Sequence, residues 1–170
     1  MLEALGRVLF AQYREAFDAY CVLNATDPHE FRSRYRDALK VLGDEPSRLE
    51  LLYIFATKED LVLLIDCRGE ENAEEIEAFL ETRIGCAIAW TITTALRNAV
   101  PEEAQRDGKF IEALFRALDQ DLGSIGQRLL FFNLHWDANV FMPMDEQVHI
   151  ALVGSAPDHF RGIKEQGSRI

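Results

Sequence analysis

The chain has 170 residues, 48% hydrophobic and 28% charged, the composition of an ordinary folded domain whose core needs no disulfide or metal staple. Its formal net charge of −11 argues against a nucleic-acid partner, since a phosphate backbone demands a basic face. Three widely spaced cysteines (Cys21, Cys67 and Cys86) form no C-x-x-C pair, which argues against a thiolate zinc site, a dithiol redox site or a disulfide framework and points to reduced thiols in the cytoplasm.

Met1 to Leu9 carries Glu3 and Arg7 and lacks the apolar core of a signal peptide. Leu2, Leu5, Val8, Leu9, Tyr13, Phe17 and Tyr20 recur at three- and four-residue steps, predicting one amphipathic helix from Leu2 to Leu23. Asp27-Pro28 supplies an N-cap and a first-turn proline for a second helix ending at Gly43, so 2–43 reads as an antiparallel pair. Ser47 and Glu50 match a capping box, yet the apolar run from Leu49 to Thr57 suits a helix or a buried strand equally.

Leu61 to Cys67 predicts a strand, apolar on both faces and therefore covered on both. Asn72 to Arg83 predicts a helix with Ala73, Ile76, Phe79, Leu80 and Ile84 inward. The uncharged stretch Ile84 to Leu96 is shorter than the roughly 20 residues of a membrane span, so it reads as buried and no membrane partner is expected. Residues 86–98 suit a helix, with a strand as the alternative. Pro101-Glu102-Glu103 opens a helix running to about Leu122, with Phe110, Leu114, Phe115 and Leu118 inward.

Arg128 to His135 predicts a strand followed by a turn at Trp136 to Asn139. Val140 to Met142 predicts a short edge strand that tolerates Pro143, Val148 to Val153 a further strand, and Ser155 to Asp158 the start of a terminal helix. The whole reads as a single α+β domain over 1–170, with an antiparallel or mixed sheet of about four strands packed with helices. Helix, strand and helix recur in 47–98 and 101–170, which hints at a distant internal duplication.

Three constellations carry chemical interest. Glu74, Glu77 and Glu81 form one stripe on their helix, with Glu70 and Glu71 just before it. Acids near a helix start complement its dipole, and the Glu77–Glu81 repulsion costs about 0.2–0.5 kcal/mol unless a cation relieves it. Arg32, Arg36 and Lys40 form a basic stripe opposite Phe31, Tyr35, Leu39 and Leu42; it suits pairing with those glutamates, plain solvation, or a small anion. Asn133, His135, Asp137 and His149 would converge if their strands paired, giving imidazoles that serve as base, acid or metal ligand. No spacing such as H-E-x-x-H supports a metal site, and no P-loop or G-x-G-x-x-G supports a nucleotide cofactor. Cys67 reads as a buried strand-end thiol, because Glu70 and Glu71 oppose a thiolate.

The function these features favour is a non-catalytic binding or regulatory module, engaging a basic protein surface through Glu70, Glu71, Glu74, Glu77 and Glu81, for example as an immunity-type inhibitor. The alternative is a small hydrolytic enzyme built on His135, Asp137 and His149. A third reading is a structural subunit that exposes Phe131, Trp136, Phe141 and Met142 for self-association. No cofactor is implied, and nothing in the pattern specifies the oligomeric state.

Overall fold

The computed structural model describes residues 2–43, 45–66 and 73–163, and within them the side chains of all but Leu2, Asp66 and Arg106. The chain is α+β, and it divides into two compact units, residues 1–62 and 63–170. None of its helices is long and apolar enough to cross a membrane among the described residues.

Among the described residues, every secondary-structure element of the first unit is helical. α1 (Leu2–Leu9) stops at Phe10, where the backbone leaves the helical region, and a 3-10 turn (Ala11–Tyr13) leads into α2 (Arg14–Thr26). The single helix expected over Leu2 to Leu23 is thus broken. An unbroken helix would hold Gly6 and Phe17 roughly 16 Å apart, at ~1.5 Å per residue. Folded back, Gly6 lies so close to the Phe17 ring that a Cβ would fall inside it. Burial of Phe17 against this gap and against Phe10, at 5.3 Å between ring centroids, outweighs helix continuity.

The Asp27 side chain accepts the Glu30 N–H at 3.0 Å and opens α3 (Pro28–Arg34), as its sequence indicates. Tyr35 interrupts the helix, α4 (Arg36–Leu42) continues, and Gly43 ends it with φ 91°. Ser47 and Glu50 form the capping box reciprocally, at 2.6 and 3.3 Å, and make residues 48–58 the helix α5 (Arg48–Lys58) rather than a strand. The core is a group of rings: Phe55 meets Phe10 at 4.8 Å and Phe17 at 5.1 Å, while Tyr20 meets Phe31 at 5.2 Å. The Tyr20 hydroxyl donates to the Leu51 carbonyl at 2.8 Å, and burial pushes its phenol well above the usual range.

The second unit holds an antiparallel sheet of four strands in the order β1-β3-β2-β4: β1 (Leu63–Asp66), β2 (Gln127–Phe132), β3 (Ala138–Asp145) and β4 (Phe160–Arg161). β1 is an edge strand, and Leu64 remains 39% exposed, so the expected covering of both its faces does not hold at that residue. β3 is central, not the short edge strand expected at Val140. Pro143 is tolerated because β1 pairs only as far as Phe141, leaving β3 with one neighbour at the proline.

Helices α6 (Ala73–Ile84), α7 (Thr91–Ala99) and α8 (Gly108–Gly123) pack with one sheet face into a core that includes Ile65, Ile76, Leu80, Leu114, Leu118, Leu129, Phe131 and Phe141. The uncharged stretch from Ile84 is mostly exposed loop and helix; only Ile88 and Thr93 within it are buried. The helix expected from Pro101 is two elements, a 3-10 turn (Glu102–Arg106) and α8, because Asp107 caps α8 by accepting the Lys109 N–H.

The strand expected at Val148 to Val153 is instead α9 (Glu146–Ser155). Asp145 ends β3 and accepts the N–H groups of Gln147 and Val148 at 2.9 and 3.2 Å, an N-cap whose side-chain bonds outweigh the apolar alternation. Ser155 is accordingly the last residue of α9 and not the cap of a terminal helix; a turn at 157–159 leads into β4. Phe131, Phe141 and Met142, expected in an exposed patch, are at most 8% exposed, because β2 and β3 are the two inner strands.

Candidate functional site

The glutamate stripe is drawn into its own unit. Arg97 of α7 donates to Glu74 at 2.6 Å and lies 3.3 Å from Glu77, while Glu81 accepts from the Ile88 N–H and the Trp90 indole N–H, both at 3.0 Å. These bonds fasten the loop before α7 and relieve the Glu77–Glu81 repulsion. The Glu77 side chain is only 14% exposed, and burial pushes its carboxyl above the usual range, with Arg97 opposing. Glu74 is the stripe's open member, at 71%. Glu70, Glu71 and Cys67 lie outside the described residues.

The histidine constellation is dispersed. β2 ends at Phe132, and Asn133 is committed to the turn before β4: its N–H donates to the His159 carbonyl at 2.9 Å and its amide to the Pro157 carbonyl at 3.0 Å. His135 follows in an exposed loop with φ 59°, with exposed Asp137 two residues on. His149 instead projects from α9 beneath Gly162, where a Cβ would meet its Nε2 at 2.9 Å. Gly162 follows Arg161, which pairs with Phe131, so the outer part of β2 separates the two imidazoles. No group of three His, Cys, Asp or Glu able to hold a metal forms among the described residues.

His149 borders a polar network that sequence spacing does not reveal. Buried Asp119 of α8 accepts the Leu129 N–H at 2.8 Å and the Arg128 guanidinium at 3.0 Å, and Arg128 also binds Glu146 at 2.9 Å. The His149 Nε2 is buried with no hydrogen-bond partner in the described protein, and burial holds the imidazole below its usual range. Asp119 and Glu146 oppose that shift, and Arg128 adds to it. This arrangement ties α8, β2 and α9 together.

An open cleft of about 480 Å³ lies between the N-terminal half of α8 and the sheet, lined by Gly108, Ile111, Glu112, Phe115, Arg116, Phe131, Asn139, Arg161 and Ile163. Its size is that of a small-molecule site. The register builds its floor: Arg161 of β4 lies beside Phe131, which lies beside Phe141, and Asn139 falls two residues along β3 on the same face. The Arg161 guanidinium stacks 4.7 Å above the Phe131 ring and donates to the Asn139 side-chain amide oxygen (Oδ1) at 3.0 Å. Phe115 closes edge-on over Phe131 at 5.2 Å, and Arg116 pairs with Glu112 at 3.3 Å one turn back along α8. Among the described lining residues, Arg116, Arg161 and Glu112 are the charged ones, set over an aromatic floor.

Comparison with protein-family models, curated proteins and solved structures finds no match to this chain, so the function rests on its own geometry. Arg116, Asn139 and Arg161 escape sequence reasoning because they are far apart in the chain and share no motif. The one available signal was the strand character of Phe160-Arg161, which the helix expected from Ser155 concealed.

Proposed function

We propose that the α+β unit is a non-catalytic binding module that takes a small anionic ligand with an apolar or aromatic body in the cleft between α8 and the sheet. The observation that supports this reading is the Arg161 guanidinium, held in place by Phe131 and Asn139 inside an aromatic-floored cleft. A planar fork of donors fixed in this way suits a carboxylate or phosphate oxygen pair. The hydrolytic reading has no comparable support, because His135, Asp137 and His149 do not converge.

Calorimetric titration with benzoate, and with benzyl alcohol as its neutral counterpart, tests this directly. Benzoate should bind in preference, and Arg161→Gln should weaken it about tenfold or more, the loss of one charge-assisted hydrogen bond. Equal binding of acid and alcohol, or none of either, would refute the reading.

A basic protein partner is the second reading, supported by the exposure of Glu74. Glu77 and Glu81 hold the fold, so reversing all three charges would confound docking with unfolding. Glu74→Lys alone is the clean variant. Affinity capture at low salt should retain a basic protein on the parent chain and lose it on this variant; equal capture by both excludes the face.

A further inference from the structure

The cleft between α8 and the sheet carries one charge that a simple anion leaves unexplained. Glu112 lines it together with Arg116 and Arg161. A plain carboxylate drawn to the guanidinium groups meets repulsion from this acid, because both act on it within the same small volume. A ligand that brings its own cation turns that repulsion into attraction.

Glu112 and Arg116 lie one turn apart on α8, and Arg116 Nη2 donates to Glu112 Oε2 at 3.3 Å. One such bond uses little of the capacity of either group, since a carboxylate has about four acceptor positions and a guanidinium about five donors. The Glu112 side chain is 73% exposed and that of Arg116 33%, so both are reached from solvent. An α-amino acid carries its ammonium and carboxylate on a single carbon, which sets its two charges as closely as those of a direct ion pair. It can therefore lie antiparallel to this pair, its ammonium on the glutamate and its carboxylate on the guanidinium. Arg161, stacked on Phe131 and bonded to Asn139, is a second partner for the same carboxylate.

The remainder of the lining suits an aromatic side chain. Ile111, Phe115, Phe131 and Ile163 are apolar, and Phe115 meets Phe131 edge-on at 5.2 Å. A third ring extends such a cluster in the tilted or offset arrangements that aromatic rings prefer. The volume of about 480 Å³ lies toward the lower end of small-molecule sites, which span roughly 300–1,000 Å³.

We propose that the ligand of this cleft is a free aromatic α-amino acid, its carboxylate on Arg161 and Arg116 and its ammonium on Glu112. The assignment rests on the reading of the cleft as a site for an anionic group, and adds to it the cation that Glu112 recognises.

The test is calorimetric titration of the full chain near neutral pH with three compounds: L-phenylalanine, 3-phenylpropanoate, which lacks the ammonium, and 2-phenylethylamine, which lacks the carboxylate. Each is repeated on Glu112→Gln, a substitution at an exposed helix position whose retained helix content circular dichroism verifies. The parent chain should bind L-phenylalanine about fivefold more tightly than 3-phenylpropanoate, the upper range of an exposed charge pair, and 2-phenylethylamine least. Glu112→Gln should remove the preference by weakening L-phenylalanine without weakening 3-phenylpropanoate. Equal binding of these two by the parent chain overturns the amino-acid assignment and leaves the anion site standing. A preference for L-phenylalanine that survives in Glu112→Gln also overturns the assignment. Binding of none of the three, or of 2-phenylethylamine as tightly as L-phenylalanine, overturns both readings.

Discussion

At the scale of single residues, His149 couples this fold to pH. Its Nε2 is buried without a partner, and burial depresses its folded-state value below the 6.5 of an ordinary imidazole. The charges that face it are Asp119 from α8, Arg128 from β2 and Glu146 on its own helix. The unfolded chain takes up the proton first on acidification, so it binds more protons than the fold between the two values. The stability linked to His149 is therefore complete above about pH 6.5 and lost as pH falls toward the depressed folded value. Urea denaturation on either side of that pH should show this loss in the parent chain and a flatter dependence in His149→Leu. Parallel profiles for both proteins would place the pH sensitivity elsewhere.

At the scale of elements, the main lesson is where helix caps come from. Asp27, Ser47 with Glu50, and Asp145 are local caps, each a few residues from the N–H it accepts, and the first two are legible in the sequence. Asp145 is equally local, but the apolar run from Val148 to Val153 imitates a strand and hides it. α7 has no cap of its own at Trp90. The N–H groups of its second and third residues, Ile92 and Thr93, are accepted by the two carboxylate oxygens of Asp121 from α8, at 3.0 and 2.9 Å. Asp121 is 3% exposed, and its removal strands the buried Thr93 N–H and the part-buried Ile92 N–H. Asp121→Ala should cost about 1–3 kcal/mol in urea denaturation, and Asp121→Asn, which keeps one acceptor, distinctly less. Equal losses would show that the charge, and not the donor count, sets the cost.

At the scale of the molecule, charge is unevenly used. The net −11 suggests an acidic binding face, yet Glu77 is committed to Arg97 of α7 and Glu81 to the loop before that helix. A count over the whole chain cannot show this, because Coulomb interactions are decided within a few ångströms once solvent and salt screen the remainder.

The sequence by itself determined the α+β class, the helix start at Asp27, the capping box at Ser47 and Glu50, and the inward faces of α6 and α8. Each follows from interactions within a few residues or from the periodicity of apolar side chains, which the chain displays before it folds. Tertiary structure alone decided the break at Phe10, the central place of β3, the burial of Phe131 and Phe141, and the meeting of Arg161 with Phe131 and Asn139. These depend on which distant surfaces pack together. A close contact such as Gly6 against Phe17 outweighs local helix propensity, and strand order, not composition, selects the residues that share a cleft.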